Sequence, residues 1–241
     1  MLHKTTGIVF KTIDYSESSL IVQVFTRKFG MQSYLLNGAR KPRSKFSRNM
    51  LQPLHLLDLV VYHKSGGSLQ RISEMKSAIV FQTIPYDVVK SSVVMFLNEV
   101  LYKSVKQQTA DEALFDFVFH ALEWLDHQES SVANFHLLFM LKLSRYLGFS
   151  PQHEEEGQAD FFDMKEGLFV KHPPAHALFL VPPYSHQFNA LLKFGFNEQS
   201  QIQLAAADRR YLIAQLLEYY ALHVEGFGIV RSHEILEDVL N

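Results

Sequence analysis

The 241-residue chain has no cysteine, which excludes disulfides, thiolate nucleophiles and any Cys-ligated zinc or iron–sulfur centre. No apolar run approaches the roughly 18 residues needed to cross a bilayer, and His3 and Lys4 interrupt any N-terminal stretch of signal-peptide length. These absences predict a soluble, intracellular protein. Also missing are a P-loop, a G-x-S-x-G elbow, an H-E-x-x-H pair and a dinucleotide fingerprint. His233-Glu234 comes nearest to a zinc-protease motif, but residue 237 is Glu. The carboxylate pairs Asp111-Glu112 and Glu237-Asp238 fall where helix faces meet solvent, and helix N-termini attract acids without any catalytic role. No catalytic residue is predicted, and the expected function is non-enzymatic. Among the histidines, His172-x3-His176 with His186 nearby has the spacing closest to a ligand set. Pro173 and Pro174 deny that pair helical i, i+4 geometry, and His153 merely precedes the charge run Glu154 to Glu156. No metal or other cofactor is expected.

What is present begins with charge. The net value of −2 conceals a division. Residues 1–80 hold 12 Lys and Arg against four acids (Asp14, Glu17, Asp58, Glu74), a net +8, so residues 81–241 hold 11 basic and 21 acidic side chains, a net −10. Such asymmetry says nothing about fold, but it points to a polyanion partner for the basic part and different partners for the acidic part.

From Lys4 to about Met75, short apolar or alternating runs are separated by turn residues, the pattern of β-strands. Five runs are predicted, at 4–13, 19–26, 31–37, 54–63 and 68–75, with breaks at Asp14 to Ser18, Arg27 to Gly30, Asn37-Gly38 and Ser65 to Gly67. Five strands in so short a span fit a small barrel, either an OB-fold or an SH3-like barrel. After Pro85 the period becomes helical. Residues 86–106 place Val89, Val93, Phe96, Leu97, Val100 and Leu101 on one stripe, and 111–126 do likewise with Leu114, Phe115, Val118, Phe119, Leu122 and Leu125. Residues 131–147 are apolar almost all round and read as a central buried helix capped by Ser131 and ended by Gly148. An irregular, proline-rich insert at about 148–185 contains a hairpin-like stretch at 161–170, and helices return near 185–194, 205–223 and 232–240, the last behind Ser232. The expected architecture is α+β and multi-domain, with a β-barrel at 1–80 and a helical domain at 81–241.

The segment from Arg40 to Arg48 carries five cations in nine residues: Arg40, Lys41, Arg43, Lys45 and Arg48, with Ser44 and Phe46 between them. Such a run can be a solvated loop. Within a +8 module that also has Arg27-Lys28 at another turn, it predicts a phosphate-binding loop, with Phe46 available to stack on a base for about 1 to 3 kcal/mol. Five contacts to a single strand would give a salt slope of roughly −3.5. In the helical half, Lys142 and Arg145 lie one turn apart on an otherwise apolar helix. They form either a narrow solvent stripe or a basic edge for an acidic peptide tail with a hydrophobic end.

Several segments together resemble one family, the bacterial recombination mediators called RecO. They are Gly7-Ile8-Val9, Tyr15-Ser16-Glu17-Ser18-Ser19, Thr26 to Gly30, Gly38-Ala39-Arg40-Lys41 with Ser44, Leu51-Gln52-Pro53, Tyr219-Tyr220 to Gly226, and Val230-Arg231-Ser232. The resemblance covers nearly the whole chain. It implies an N-terminal OB-fold, a helical C-terminal domain, and binding of single- and double-stranded DNA. It further implies annealing of complementary strands and work with RecR to place RecA on DNA coated by single-strand-binding protein (SSB), whose acidic tail is contacted. The family's DNA-contacting residues map onto Arg40, Lys41 and Ser44. Many relatives hold a cysteine-ligated zinc in the region matching about 148–180, and this chain has no cysteine to do so. The rival readings are an RNA-binding or transcription-associated barrel protein and a metal-dependent hydrolase built on the insert.

Overall fold

A computed structural model describes residues 1–41, 44, 46–64, 66–153 and 159–240. The chain forms two compact units, Met1–His127 and Gln128–Asn241. In the first, β1 (Leu2–Asp14), β2 (Leu20–Thr26), β3 (Gly30–Leu36), β4 (Leu56–Tyr62) and β5 (Gln70–Ser77) close into a barrel of order β1-β2-β3-β5-β4. Every pairing is antiparallel except β3 with β5, which run parallel through Tyr34↔Gln70 and Leu35↔Arg71. This closure identifies the OB-like arrangement and decides between the two barrels that strand count left open. Alternation sends Val22, Val24, Tyr34, Leu57, Leu59 and Val61 inward. β1 serves two partners, pairing with β4 along its first half and β2 along its second, with a bulge between Val9 and Lys11 that bends it round the barrel. At Gly7 a Cβ would lie 2.5 Å from Val24 Cγ1 and 2.9 Å from Leu59 Cδ1, so the close approach there depends on glycine.

Helices α1 (Val88–Ser104) and α2 (Glu112–His127) belong to the same unit as the barrel. Their stripes are buried at Val93, Phe96, Leu97, Val100 and Leu101, and at Leu114, Phe115, Val118, Leu122 and Leu125. Phe115 meets the barrel's Phe25 at 5.7 Å between ring centroids. The switch from strand to helix is pinned by Asp126. Its carboxylate accepts backbone N–H bonds from Gln82, Thr83 and Ile84 at 2.8, 2.9 and 2.9 Å. Lys90 Nζ donates to Thr83 Oγ1 at 2.7 Å and to the Asp126 carbonyl at 3.1 Å. Burial alone would raise the Asp126 pKa, but these donors outweigh it and hold the group below its usual value.

The second unit is built on α3 (Phe135–Tyr146), α4 (Tyr184–Lys193), α5 (Ala206–His223) and α6 (Ser232–Val239). α3 is buried on nearly every side, and burial, with Arg209 nearby, lowers the pKa of its His136 to about 3. The helix starts later than Ser131 predicts. Asn134 occupies the cap position and makes no side-chain cap bond, because its amide is drawn into tertiary contacts, donating to the Ile202 carbonyl at 3.1 Å and accepting from Arg209 Nε at 3.1 Å. The end falls at Gly148 as expected. Its φ of +87° allows Gly148 N–H to reach the Arg145 carbonyl and Phe149 N–H to reach that of Ser144, the paired closure of a Schellman motif. α6 begins at Ser232 itself, with Arg231 in the cap position. Within the insert, β6 (Phe161–Asp163), β7 (Leu168–Val170) and β8 (Phe179–Leu180) form a sheet of order β7-β6-β8. Asp163 Oδ1 closes its hairpin by accepting from Lys165 N–H at 2.9 Å and Glu166 N–H at 3.2 Å. No described helix is long and apolar enough to cross a membrane.

Candidate nucleic-acid interface

The basic segment departs from β3 at Leu36, which lies opposite Leu20, so it runs beside the loop 15–19 that joins β1 to β2. Arg40 fastens the two together. Its backbone N–H donates to the Ser18 carbonyl at 3.1 Å and its Nη1 to the Ser16 carbonyl at 3.0 Å, while Asp14 Oδ2 stands 3.6 Å from the same nitrogen. The loop is closed on itself by Tyr15 and Ser16 N–H groups donating to the Ser19 carbonyl. Gly38, at φ +70°, makes the turn that lets Lys41 N–H reach its carbonyl at 3.1 Å. Arg40, Lys41 and Arg48 are exposed, and Ser44 is half-buried with its Oγ accepting from Phe46 N–H. Arg43 and Lys45 lie outside the described residues.

Phe46 does not stand ready to stack on a base. It is only 5% exposed and packs in the barrel core with Val9, Leu36 and Leu51. Phe46 and Leu51, both on the connection from β3 to β4, are buried in that core, where an apolar ring is stabilised by its removal from water. An exposed aromatic lies nearby instead: Tyr15, in the loop that Arg40 holds, is 60% exposed. Neither Tyr15, which lies in one of the segments that carry the family resemblance, nor exposed Arg71 on β5 was among the predicted site residues. The signal lay in period-two alternation, which puts Lys11, Ile13 and Tyr15 on the outer side of β1 and its extension.

Arg27 and Lys28 are not brought to this place. They occupy the β2–β3 turn, at the far end of a seven-residue strand, about 20 Å away. Arg27 Nη2 is held by Asp116 Oδ2 at 2.9 Å and Glu112 Oε2 at 3.2 Å, both on α2. Gly30 ends the turn at φ +63°, where a Cβ would lie 2.4 Å from the Thr109 carbonyl oxygen and 2.7 Å from that of Gln107. Lys28 is exposed beside a groove of about 550 Å³ lined by Lys4, Asp58, Glu74 and Lys76, among others, and there Lys76 pairs with Asp58 at 3.3 Å. This end of the barrel is of mixed sign.

In the second unit, Lys142 sits with its Nζ 5.8 Å from the centre of the Phe196 ring, and burial lowers its pKa, with Glu198 opposing and Arg145 adding to the shift. Arg145 is exposed one turn on. The insert's histidines disperse. His176 Nε2 faces Asp163 Oδ2 at 3.3 Å while its Nδ1 accepts from Leu178 N–H, His186 pairs with Asp160 at 3.0 Å, and His172 is exposed. Among the described residues no three His, Cys, Asp or Glu gather as a metal site, and with no cysteine the chain cannot supply the thiolate ligands of the zinc that the family resemblance implies for many relatives.

The barrel order, its one parallel pair and the cationic connection fastened to the β1–β2 loop define an oligonucleotide- or oligosaccharide-binding type of barrel, followed by a helical region. Residues 1–81 match the family model described as Recombination protein O N terminal, and residues 85–232 match Recombination protein O C terminal. The chain belongs to the RecO family, and this membership gives it a role in DNA repair and recombination. It is 34% identical over 241 residues to the DNA repair protein RecO of Phocaeicola vulgatus, covering 100% of each chain. The protein of that name from Flavobacterium psychrophilum is 37% identical over 242 residues, with 99% of each chain covered. That from Porphyromonas gingivalis is 30% identical over 245 residues, with 100% of each covered.

Proposed function

We propose that residues 1–80 bind single- and double-stranded DNA through the basic connection, and that the chain anneals complementary strands without a covalent step. Arg40, Lys41, Arg43, Lys45 and Arg48, with the Ser44 hydroxyl, contact phosphates, and Lys28 makes an outlying contact across the barrel, from which Arg27 is largely withheld by Glu112 and Asp116. Neutralising the phosphates of two strands removes the repulsion that keeps them apart, so base pairing can nucleate. The observation that carries this reading is the exposure of Arg40, Lys41 and Arg48 on a connection that Arg40 fastens to the β1–β2 loop.

The acidic residues 81–241 supply protein contacts in the same reading. The chain works with RecR to place RecA on strands coated by SSB, in the cytoplasm beside the nucleoid. Lys142 and Arg145 receive the acidic tail of SSB, and the ring of Phe196 beside Lys142 suits the hydrophobic end of such a tail. A fluorescence annealing assay with bare and SSB-coated strands tests the whole. Acceleration of both is expected, and a chain that prefers RNA and anneals no DNA would point to the RNA-binding alternative. Unchanged binding of an SSB-tail peptide after Arg145→Ala would remove the second site.

A further inference from the structure

Asn37-Gly38 lies where β3 gives way to the basic connection, and no other asparagine in the sequence is followed by glycine. Asn37 is exposed in a turn, outside strand and helix. Ser19 Oγ donates to Asn37 Oδ1 at 3.4 Å, and among the described residues the amide nitrogen of the same side chain has no acceptor. Gly38 N–H, the next donor along the backbone, makes no hydrogen bond to any described residue either. Asn98 and Asn189, by contrast, sit inside α1 and α4, where the following N–H is engaged by the helix.

We infer that Asn37 is a site of spontaneous deamidation, and that its conversion weakens the hold of the basic connection on DNA. Gly38 N, on losing its proton, attacks Asn37 Cγ. The N–Cγ bond forms, the Cγ–Nδ2 bond breaks, and Nδ2 leaves with the proton as ammonia, closing a succinimide ring. Water then opens the ring at either carbonyl. Breaking the Gly38 N–Cγ bond leaves aspartate. Breaking the bond from Gly38 N to the backbone carbonyl carbon of residue 37 leaves isoaspartate, with the main chain running through Cβ.

Glycine serves the reaction because, with no Cβ, it leaves its nitrogen open while holding φ at +70°. Lys41 lies against it, with Cδ 3.7 Å from where a Cβ would stand, and Arg40 is two residues on. Both cations favour the anionic nitrogen through which the reaction passes. The effect on DNA rests on the proposed function; the reaction does not. A carboxylate at 37 competes with phosphate for Arg40 and Lys41. Isoaspartate also adds a backbone atom between β3 and Arg40, whose N–H and Nη1 hold the loop 15–19.

The test ages the full chain at mildly alkaline pH and compares it with fresh chain, with Asn37→Gln aged alike, and with Asn37→Asp. Peptide mass spectra should show residue 37 exchanging an amino group for a hydroxyl, as a mixture of aspartate and isoaspartate, faster than at mildly acidic pH. Asn98 and Asn189 should stay intact, as should the glutamine of Asn37→Gln. Aged parent and Asn37→Asp should each lose about 0.7 from the salt slope of oligothymidylate binding, while aged Asn37→Gln keeps the slope of fresh parent. An unaltered residue 37, or equal reaction at Asn98 and Asn189, overturns the site. A reacted chain with the slope of fresh parent overturns the effect on DNA and leaves the site standing. A fresh parent that binds no DNA overturns the proposed function and that effect with it, and the mass spectra still decide the site.

Discussion

The two ends of the barrel both carry cations in the sequence, two at the β2–β3 turn and five from Arg40 to Arg48, and the structure arranges them differently. At the β2–β3 turn, Arg27 is gripped by Glu112 and Asp116, and Gly30 is pressed against the backbone of residues 107 and 109. At the other end, Arg40, Lys41 and Arg48 remain exposed, with Asp14 the acid paired to Arg40. Arg27 is spent on joining barrel to helices while Lys28 stays exposed beside a groove of mixed sign, and the cluster at the other end faces solvent. A cation's value to a polyanion depends less on its count than on whether an acid of its own chain has reached it first.

This contrast can be broken most forcefully at Gly30. Gly30→Ala combines a left-handed backbone with a collision against carbonyl oxygens and should cost on the order of 3 to 4 kcal/mol in denaturant unfolding, and any folded fraction should bind DNA as the parent does. Asp126→Ala, at the other end of α2, should cost about 2 to 3 kcal/mol by stranding backbone donors. Because its folded pKa is depressed, the Asp126 contribution is present above the ordinary 3.8 and is lost as pH falls through the lower folded value. Unfolding midpoints of parent and variant should therefore converge in acid.

At the open end, stability should stay within about 0.5 kcal/mol while binding changes. Replacing Arg40, Lys41, Arg43 and Lys45 by Ala should flatten the single-strand salt slope by about 2.8. Asp14→Asn, which removes the acid beside Arg40, should tighten binding a fewfold at low salt. The smallest effect is expected from Arg27→Ala, about 0.2 to 1 kcal/mol in stability and a barely altered salt slope.

Strands and helices were legible because their periods are local, and so was the hairpin at 161–170. The parallel β3–β5 closure was not, since it joins segments that only the completed barrel brings together. Arg27 read as a free cation because its acids come 85 and 89 residues later. Phe46 read as a stacking aromatic because cations surround it in the chain, while the core that takes it lies elsewhere in sequence. Ser131 is an apt cap by residue type, yet tertiary bonds to Asn134 moved the helix start. The cations from Arg40 to Arg48 were visible at once, but their place beside 15–19 follows only from the register of β2 and β3.

The most direct test compares salt slopes of single-strand binding for three proteins: the parent, Lys41→Ala/Arg48→Ala and Arg27→Ala. The open-end double variant should lose about 1.4 from the slope and Arg27→Ala nearly nothing. A slope flattened by Arg27→Ala and untouched by the double variant would contradict the account and move the interface to the other end of the barrel.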